Sequence, residues 1–267
     1  MVSVYTVGDL CKKCYSCVRE CPTKAIEVHA GQADIIESLC ISCGRCVLTC
    51  TQNAKRIRSS TAAVQGLLTE RQAGGRPVYA LLAPSFPAAF LDVEPERLVG
   101  AIRALGFDGV FEVAFGADLV SYEYYRRFRE LERDSSGRFL ISSPCPAVVS
   151  YVEKVFPELV PHLAEVVSPM EAMARVVRRG GEGAPCRVVF IGPCVAKKDE
   201  QRRLEVVDEV LPVDLDIVLR AREIVLGHTE LTARDAIHVA VMQTHGIVEI
   251  MSFDRHFDGL PGVIRLH

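Results

Sequence analysis

The sequence predicts three segments: a small cysteine-rich α+β domain over residues 1–60, an α/β domain with a largely parallel sheet over 77–203, and a small α/β tail over 204–267. Three observations support this division. Eight of the eleven cysteines fall in the first 50 residues. Apolar strands alternate with amphipathic helices through the middle of the chain, a pattern typical of α/β layers. The composition then changes, and no cysteine follows Cys194.

The composition favours a folded protein and excludes several classes. Hydrophobic residues make up 49% of the chain and charged residues 24%, which is enough apolar surface for a packed core. A net charge of -3 gives no general attraction to nucleic acid or to an anionic membrane, so neither partner is expected. Prolines interrupt the apolar stretches before they reach membrane-spanning length. The first residues lack the features of a signal peptide, so we expect a cytoplasmic, reducing environment in which a disulfide framework is a poor explanation for the cysteines.

The first segment contains an internal repeat of cysteines. Two runs share the spacing C-x2-C-x2-C-x3-C, which surrounds one [4Fe-4S] cluster with three thiolates and sends the fourth to the other cluster. The spacing predicts two ligand sets. The first cysteine set is Cys11, Cys14, Cys17 and Cys50. The second cysteine set is Cys40, Cys43, Cys46 and Cys21. The alternatives are cysteines chosen for packing or two zinc sites.

This segment resembles the bacterial two-cluster ferredoxins. Pro22 follows Cys21 as in that family, whereas Thr51 stands where the second proline is usual. Between the runs, residues 25–36 predict a short β-hairpin. Basic residues near the runs offset the negative charge of four-thiolate clusters: Lys12, Lys13, Arg45, Lys55 and Arg56. The resemblance implies electron transfer with a redox partner protein.

The second segment follows a linker predicted over residues 65–76. We expect strands at 78–82, 110–115, 138–142 and 188–191, and helices at 94–105, 118–133, 146–156 and 169–179. Cys145 and Cys194 each follow a predicted strand, at the edge where parallel sheets place ligands. Cys186 lies outside any motif and is predicted to be a core thiol.

The same segment resembles the H-cluster domain of [FeFe] hydrogenases. The likeness is carried by residues 106–108, 115–119, 142–147, 156–159, 168–169 and 192–198. It implies that Cys145 and Cys194 are two of the four thiolates of a third [4Fe-4S] or H-cluster-like centre. It also implies that Lys197 is the lysine that contacts a cyanide of the diiron unit.

Four departures from that family concern proton transfer and ligation. Pro144 stands where catalytic hydrogenases carry a proton-shuttling cysteine, Tyr124 and Arg127 stand where they carry glutamates, and Gly192 replaces a methionine. A proton relay needs titratable groups within hydrogen-bond reach, so we expect no fast hydrogen turnover by this chain alone. The last ligand motif, with two further cysteines, has no counterpart. In one interpretation, Cys145 and Cys194 are ordinary buried residues or the remnant of a ligand site. In the other, a partner chain supplies the missing ligands and completes an active or sensory hydrogenase.

The third segment resembles the second half of a PIN domain, a metal-dependent ribonuclease fold. The likeness rests on residues 231–238, 252–258 and 261–262, with helices expected at 215–226 and 233–245 and a strand at 247–253. It implies that Asp235 and Asp254 bind Mg²⁺ or Mn²⁺, with Asp258 as a weaker neighbour. The first half of a PIN domain has no counterpart, and Asp235 and Asp254 are equally well explained as helix-start and turn residues. A functional fusion, a recombined locus and a gene-calling error all remain open for this junction.

Overall fold

The computed structural model describes residues 2–89, 94–133, 139–180 and 185–212, and further along residues 239, 243, 248–251, 257 and 260–266. Within these ranges, the first segment forms a small α+β unit that packs against a four-stranded α/β layer. None of the helices in these ranges is long and apolar enough to cross a membrane.

The first unit consists of two antiparallel strand pairs and two short helices. Strand β1 (Val4–Thr6) pairs with β4 (Lys55–Ile57), which joins the two ends of the unit. Helix α1 (Ser16–Glu20) precedes the predicted hairpin, which forms as β2 (Ile26–His29) and β3 (Gln32–Ile35). Its two-residue turn has positive φ at Ala30 and Gly31, as hairpin turns of this length favour. Helix α2 (Arg45–Thr49) lies in the second cysteine run.

The internal repeat of the sequence is also a repeat of backbone conformation. Non-glycine residues rarely adopt positive φ, yet six do so in this unit. Ala30 belongs to the hairpin turn. The other five, together with Gly44, fall into equivalent positions of the two runs: Lys13 and Ser42, Tyr15 and Gly44, Lys24 and Asn53. The chain therefore bends in the same way around each cysteine run.

The α/β layer begins with α3 (Thr61–Gln72) and β5 (Val78–Leu82), and continues through α4 (Phe86–Ala89), α5 (Pro95–Ala104), β6 (Gly109–Glu112) and α6 (Val113–Arg133). It then contains α7 (Pro146–Val155), α8 (Pro169–Gly180), β7 (Arg187–Gly192), α9 (Ala196–Gln201) and β8 (Glu209–Pro212). The sheet order is β6-β5-β7-β8, and every pair is parallel.

Two apolar layers cover the two faces of this sheet. On one face, α3 and α5 pack Val64, Leu98 and Ile102 against alternate residues of β5 and β7. On the other face, α8 contributes Met170 and Met173 to a cluster that also contains Cys186, as predicted for a core thiol. A parallel sheet buried on both faces requires strands of almost continuous apolar sequence, which β5 and β7 have.

Three predicted elements differ from the structure. Residues 113–115 begin α6 instead of ending a strand, because an apolar run does not distinguish a strand from a buried helix. The linker predicted over 65–76 is mostly helix α3, since Val64, Leu67 and Leu68 pack on the sheet. In the described part of the strand predicted at 138–142, residues 139–142, only Ile141 is bridged, to Leu163.

The sheet extends beyond residue 203. Strand β8 pairs with β7 and lies in the segment assigned above to the PIN-like tail. Further along, β9 (Glu249–Met251) pairs in parallel with β10 (Ile264–Leu266), and β9 falls within the strand predicted at 247–253. Asp235, Asp254 and Asp258 lie outside the described residues, as do most of the two helices predicted for this segment.

Candidate iron–sulfur site

The two predicted cysteine sets line two separate cavities. One cavity of about 350 Å³ is bordered by all four members of the second cysteine set. The other, also about 350 Å³, is bordered by all four members of the first cysteine set. In each case three cysteines come from one run and the fourth from the other run, as the spacing predicts. The structure thus brings together the eight cysteines in the two groups derived from the sequence.

Backbone amides point at the cysteine that each run contributes to the other cavity. The amide of Ala25 donates to Sγ of Cys21 at 3.2 Å, and the amide of Ala54 donates to Sγ of Cys50 at 3.3 Å. These residues are equivalent in the two runs. Such N–H···S hydrogen bonds stabilise negative charge on sulfur and are one means by which proteins adjust cluster potentials.

The thiols differ in exposure and therefore in their proton affinity. Burial raises the pKa of Cys46 to about 12 and also raises the pKa of Cys17 and Cys40. Cys14 is exposed, and hydrogen bonds from Ser16 lower its pKa. A thiol must lose its proton to bind iron, so the buried members depend on the metal and on nearby cations to become thiolates.

Lys55 supplies one of these cations. Its side chain is buried at 3% exposure, and its ammonium group donates to Thr6 Oγ1 at 2.6 Å and to the carbonyl of Ala33. Its positive charge partly opposes the burial that raises the pKa of Cys17 and Cys46, one cysteine from each set. Lys55 therefore acts on both cavities. The sequence alone did not distinguish it from the other basic residues near the cysteine runs.

The cavities fit clusters better than single ions. In the described ranges, no group of three or more His, Cys, Asp and Glu side chains is arranged to hold one metal ion. Four thiols around each cavity, with a backbone amide directed at one sulfur, are the kind of donor set that holds a [4Fe-4S] cluster.

The prediction for the thiol pair, Cys145 and Cys194, holds for one of its members. Cys194 follows β7, as predicted. Cys145 is the N-cap of α7, but the strand predicted before it does not join the sheet, because Ile141 forms only an isolated bridge. Cys145 is exposed and Cys194 partly buried, and burial raises the pKa of Cys194. In the described ranges, neither thiol belongs to a group of three or more His, Cys, Asp and Glu side chains that could hold a metal ion.

Lys197 lies beside the thiol pair. Its ammonium group forms an ion pair with Glu200 at 2.6 Å and donates to the carbonyl of Pro144 at 3.4 Å. The side chain is 10% exposed. The ammonium group is thus held at the loop that carries Cys145.

The residues that depart from the hydrogenase pattern have structural partners. Tyr124 Oη lies 2.9 Å from Ser143 Oγ and accepts from the Ser143 amide at 2.6 Å. Arg127 pairs with Glu123 and donates to the carbonyl of Glu165 at 2.9 Å. A Cβ atom on Gly192 would lie 2.6 Å from Cβ of Ala83, so the space for a larger side chain is filled.

The first unit is attached to the α/β layer on the side of the second cysteine set. Lys154 of α7 donates to the carbonyl of Cys40 at 2.6 Å, and a Cβ on Gly44 would lie 3.3 Å from Val195. The hydroxyl of Ser3 donates to Asp199 at 2.5 Å. Lys154 lies in the helix that Cys145 caps, and Val195 directly follows Cys194. The second cysteine set therefore contacts the segments that carry the thiol pair.

These features define an iron–sulfur protein with a cysteine-repeat unit joined to an α/β layer. Residues 3–51 match the 4Fe-4S dicluster domain, and residues 76–249 match the iron only hydrogenase large subunit, C-terminal domain. The second match covers most of the chain. The chain belongs to the iron-only hydrogenase large-subunit family.

Known proteins similar to this chain include a hydrogenase subunit, an Fe-S cluster assembly factor and a ribonuclease. The NADP-reducing hydrogenase subunit HndD of Solidesulfovibrio fructosivorans is 28% identical over 250 residues, 81% of this chain and 42% of that protein. A probable cytosolic Fe-S cluster assembly factor of Drosophila mojavensis is 33% identical over 48% of this chain and 29% of its own length. Ribonuclease VapC13 of Mycobacterium tuberculosis is 54% identical over 61 residues, 23% of this chain and 47% of that protein. The chain spans less than half the length of each of these relatives.

A solved [FeFe]-hydrogenase, studied for oxygen inactivation of its H cluster, has a similar fold. Its TM-score is 0.51 with 24% sequence identity, over 66% of this chain and 49% of that chain. This likeness agrees with the parallel α/β layer described above and concerns the fold alone.

Proposed function

We propose that the chain is an electron-transfer or redox-sensing protein that holds two [4Fe-4S] clusters, one on each cysteine set. The observation that carries the proposal is the pair of cavities, each lined by three cysteines of one run and one of the other. Bound [4Fe-4S] clusters accept and release single electrons. The chain's own residues hold the thiolates, exclude solvent from the buried ones, and place Lys55 where it offsets negative charge in both cavities.

The proposed role excludes hydrogen turnover by this chain alone. Pro144 has no titratable atom, and Tyr124 and Arg127 are engaged with Ser143 and Glu123. The thiol pair supplies two of the four thiolates that a cubane needs. Proton transfer and stable attachment of a diiron unit therefore both lack the groups they require in this chain.

The test is reduction of the anaerobically reconstituted protein with dithionite. Two [4Fe-4S] signals at low potential are expected by EPR. Replacing one member of each set, Cys14→Ser and Cys43→Ser, should alter one signal each. Absence of any [4Fe-4S] signal in protein that is folded by circular dichroism would reject the proposal.

A second function is favoured by the surroundings of the thiol pair. Cys145 is exposed, and helix α6 presents a row of large exposed apolar side chains. This row consists of Phe115, Leu119, Tyr122, Tyr125 and Phe128. A partner chain that covers α6 and supplies the missing ligands would complete a hydrogenase or sensory hydrogenase.

The partner-completed enzyme predicts hydrogen evolution from reduced viologen after co-expression with the partner and maturation proteins. Cys145→Ala and Cys194→Ala should each abolish that activity, whereas Cys186→Ala, a core thiol, should retain it. Activity that survives both changes would rule out this second function.

A third function concerns the segment 204–267. The 61-residue match to a ribonuclease is close in length to this segment and favours a nuclease-derived module that binds Mg²⁺ or Mn²⁺ through Asp235 and Asp254. The match of residues 76–249 to the hydrogenase family overlaps the same segment. Mn²⁺-dependent RNA cleavage that is lost in Asp254→Ala would support the module, and RNA that stays intact with the wild-type chain would reject it.

A further inference from the structure

Asp199 of helix α9 joins the α/β layer to the loop that carries the second cysteine set. Its carboxylate accepts hydrogen bonds from two fully buried hydroxyls, those of Ser3 and Ser42. Arg202 pairs with the same carboxylate and also donates to Ser3 Oγ at 3.1 Å. Ser42 stands between two members of the second cysteine set, so a charge of one domain is tied directly to the ligand loop of the other.

Ser42 also contacts a cysteine of the second set. Its backbone is held at a φ of 52°, a left-handed conformation that directs its amide to Sγ of Cys40 at 3.4 Å. Ser42 therefore hydrogen-bonds both to the carboxylate of Asp199 and to Sγ of Cys40. This geometry brings the negative charge of Asp199 near that sulfur, where it disfavours additional negative charge.

The first cysteine set has a different residue at the equivalent place. Lys13 is the counterpart of Ser42 in the repeat and has the same left-handed backbone, but it is exposed and carries a positive charge. Its ammonium group lies beside Gly31 of the hairpin turn. The two ligand loops thus share their backbone path, but the position that carries an ammonium group in the first loop carries in the second a serine bound to the carboxylate of Asp199.

We propose that Asp199 is a positioning residue that lowers the reduction potential of the cluster on the second cysteine set and makes that cluster the weaker electron acceptor of the two. Reduction adds one electron, supplied by the reductant, and one negative charge to a cluster that is already anionic. A nearby carboxylate opposes that step, whereas a nearby ammonium group favours it. The inference rests on the proposed function, because it requires both clusters.

Two cations limit the effect of Asp199. Arg202 neutralises part of its charge, and its side chain is 40% exposed, so solvent screens the pair. Lys154 donates to the carbonyl of Cys40 and favours reduction of the same cluster. The effect of removing one charge should therefore be moderate, about tenfold in the reduction equilibrium, which is about 59 mV for one electron.

The experiment is an EPR-monitored redox titration of the reconstituted full chain. In Asp199→Asn, which keeps an oxygen that accepts from Ser42, the potential of the second cluster should rise by about 59 mV and that of the first should stay unchanged. Arg202→Gln should lower the second potential, since it exposes the charge of Asp199. The couple that is altered in Cys43→Ser identifies the second cluster. Glu123→Gln removes the same charge from a carboxylate that is paired within α6 and should change neither potential.

The outcomes separate the inference from the proposed function. An unchanged second potential in Asp199→Asn, with both clusters present, would overturn the inference and leave the proposed function intact. Equal shifts of both potentials would also overturn it, because they would show a general effect of net charge. A wild-type chain that forms no [4Fe-4S] cluster would instead overturn the proposed function.

Discussion

Single residues set the charge balance of the candidate site, and Lys55 is the clearest case. It is buried, its ammonium group has two oxygen partners, and its charge acts on one cysteine of each set. Its role complements that of Asp199, which contacts the loop of the second set alone. Both effects depend on contacts across long sequence separations, so the cysteine spacing could not reveal them.

Replacing Lys55 with methionine should lower the potentials of both clusters, because a cation that favours reduction is lost from each. The hydroxyl of Thr6 would also lose its donor and the carbonyl of Ala33 would lose one of its two, at a cost of about 1–3 kcal/mol in the free energy of unfolding. A redox titration and urea unfolding of Lys55→Met measure the two effects. Arg56→Gln, an exposed cation on the same strand, is the control, and equal behaviour of the two variants would contradict this role for Lys55.

Gly192 shows why a residue typical of the hydrogenase family is absent here. A Cβ at this position would lie 2.6 Å from Ala83 and 2.9 Å from the ring of Phe190. We expect Gly192→Ala to reduce the free energy of unfolding by about 1–3 kcal/mol through overpacking. Gly100→Ala in α5, where a Cβ meets nothing within 4 Å, should instead stabilise the protein by about 0.5–1 kcal/mol. Urea unfolding measures the free energy of unfolding of both variants. An unchanged value in Gly192→Ala would contradict the expectation and mean that the space is open.

At the scale of elements, Asp108 connects helix α3 to the start of two strands. Its carboxylate accepts from the buried amide of Val78 at 2.8 Å and from Arg71. The hydrogen bond from Arg71 is the main cause that lowers the pKa of Asp108. This contact explains part of the hydrogenase-like motif at 106–108 as a structural feature.

The pH dependence of this contact has a definite sign. Because the folded pKa is lowered, the stabilisation is fully present above the unfolded value of about 3.9 and is lost as pH falls through the lower folded pKa. Asp108→Asn should reduce the free energy of unfolding at pH 7, and the difference from wild type should shrink at acid pH. Urea unfolding across pH 3–7 measures it; a difference that does not change with pH would contradict the assignment.

The elements show what the sequence predicts well and what it does not. The limits of β5 were predicted residue for residue, because a buried parallel strand has a continuous apolar sequence. Gly74 and Gly75, within the segment predicted as a linker, do end a helix, since Gly74 has a φ of 90° and the Gly75 amide donates to the carbonyl of Glu70. They could not show that residues 61–72 form helix α3, which depends on packing against the sheet. The spacing of the eight cysteines predicted how they group into two sets. The contacts that Asp199 and Lys154 make with the second set join distant parts of the sequence, so they could not be predicted from it.

Across the whole chain, several contacts join the first unit to the α/β layer beside the second cysteine set. Lys154, Val195 and Asp199 all approach the loop of this set. Val195 and Asp199 follow Cys194 in sequence, and Lys154 lies in the helix that Cys145 caps. These contacts involve charge as well as packing. The thiol pair lies on the same side, where a partner could reach it.

We propose that this chain holds two [4Fe-4S] clusters on its repeat and none on the thiol pair alone. Iron and acid-labile sulfide per chain, measured together with EPR on anaerobically reconstituted protein, test this directly. We expect about eight irons, two [4Fe-4S] signals, and the same values in Cys145→Ala and Cys194→Ala. About twelve irons, with the excess lost in either variant, would contradict it and show a third cluster on the thiol pair.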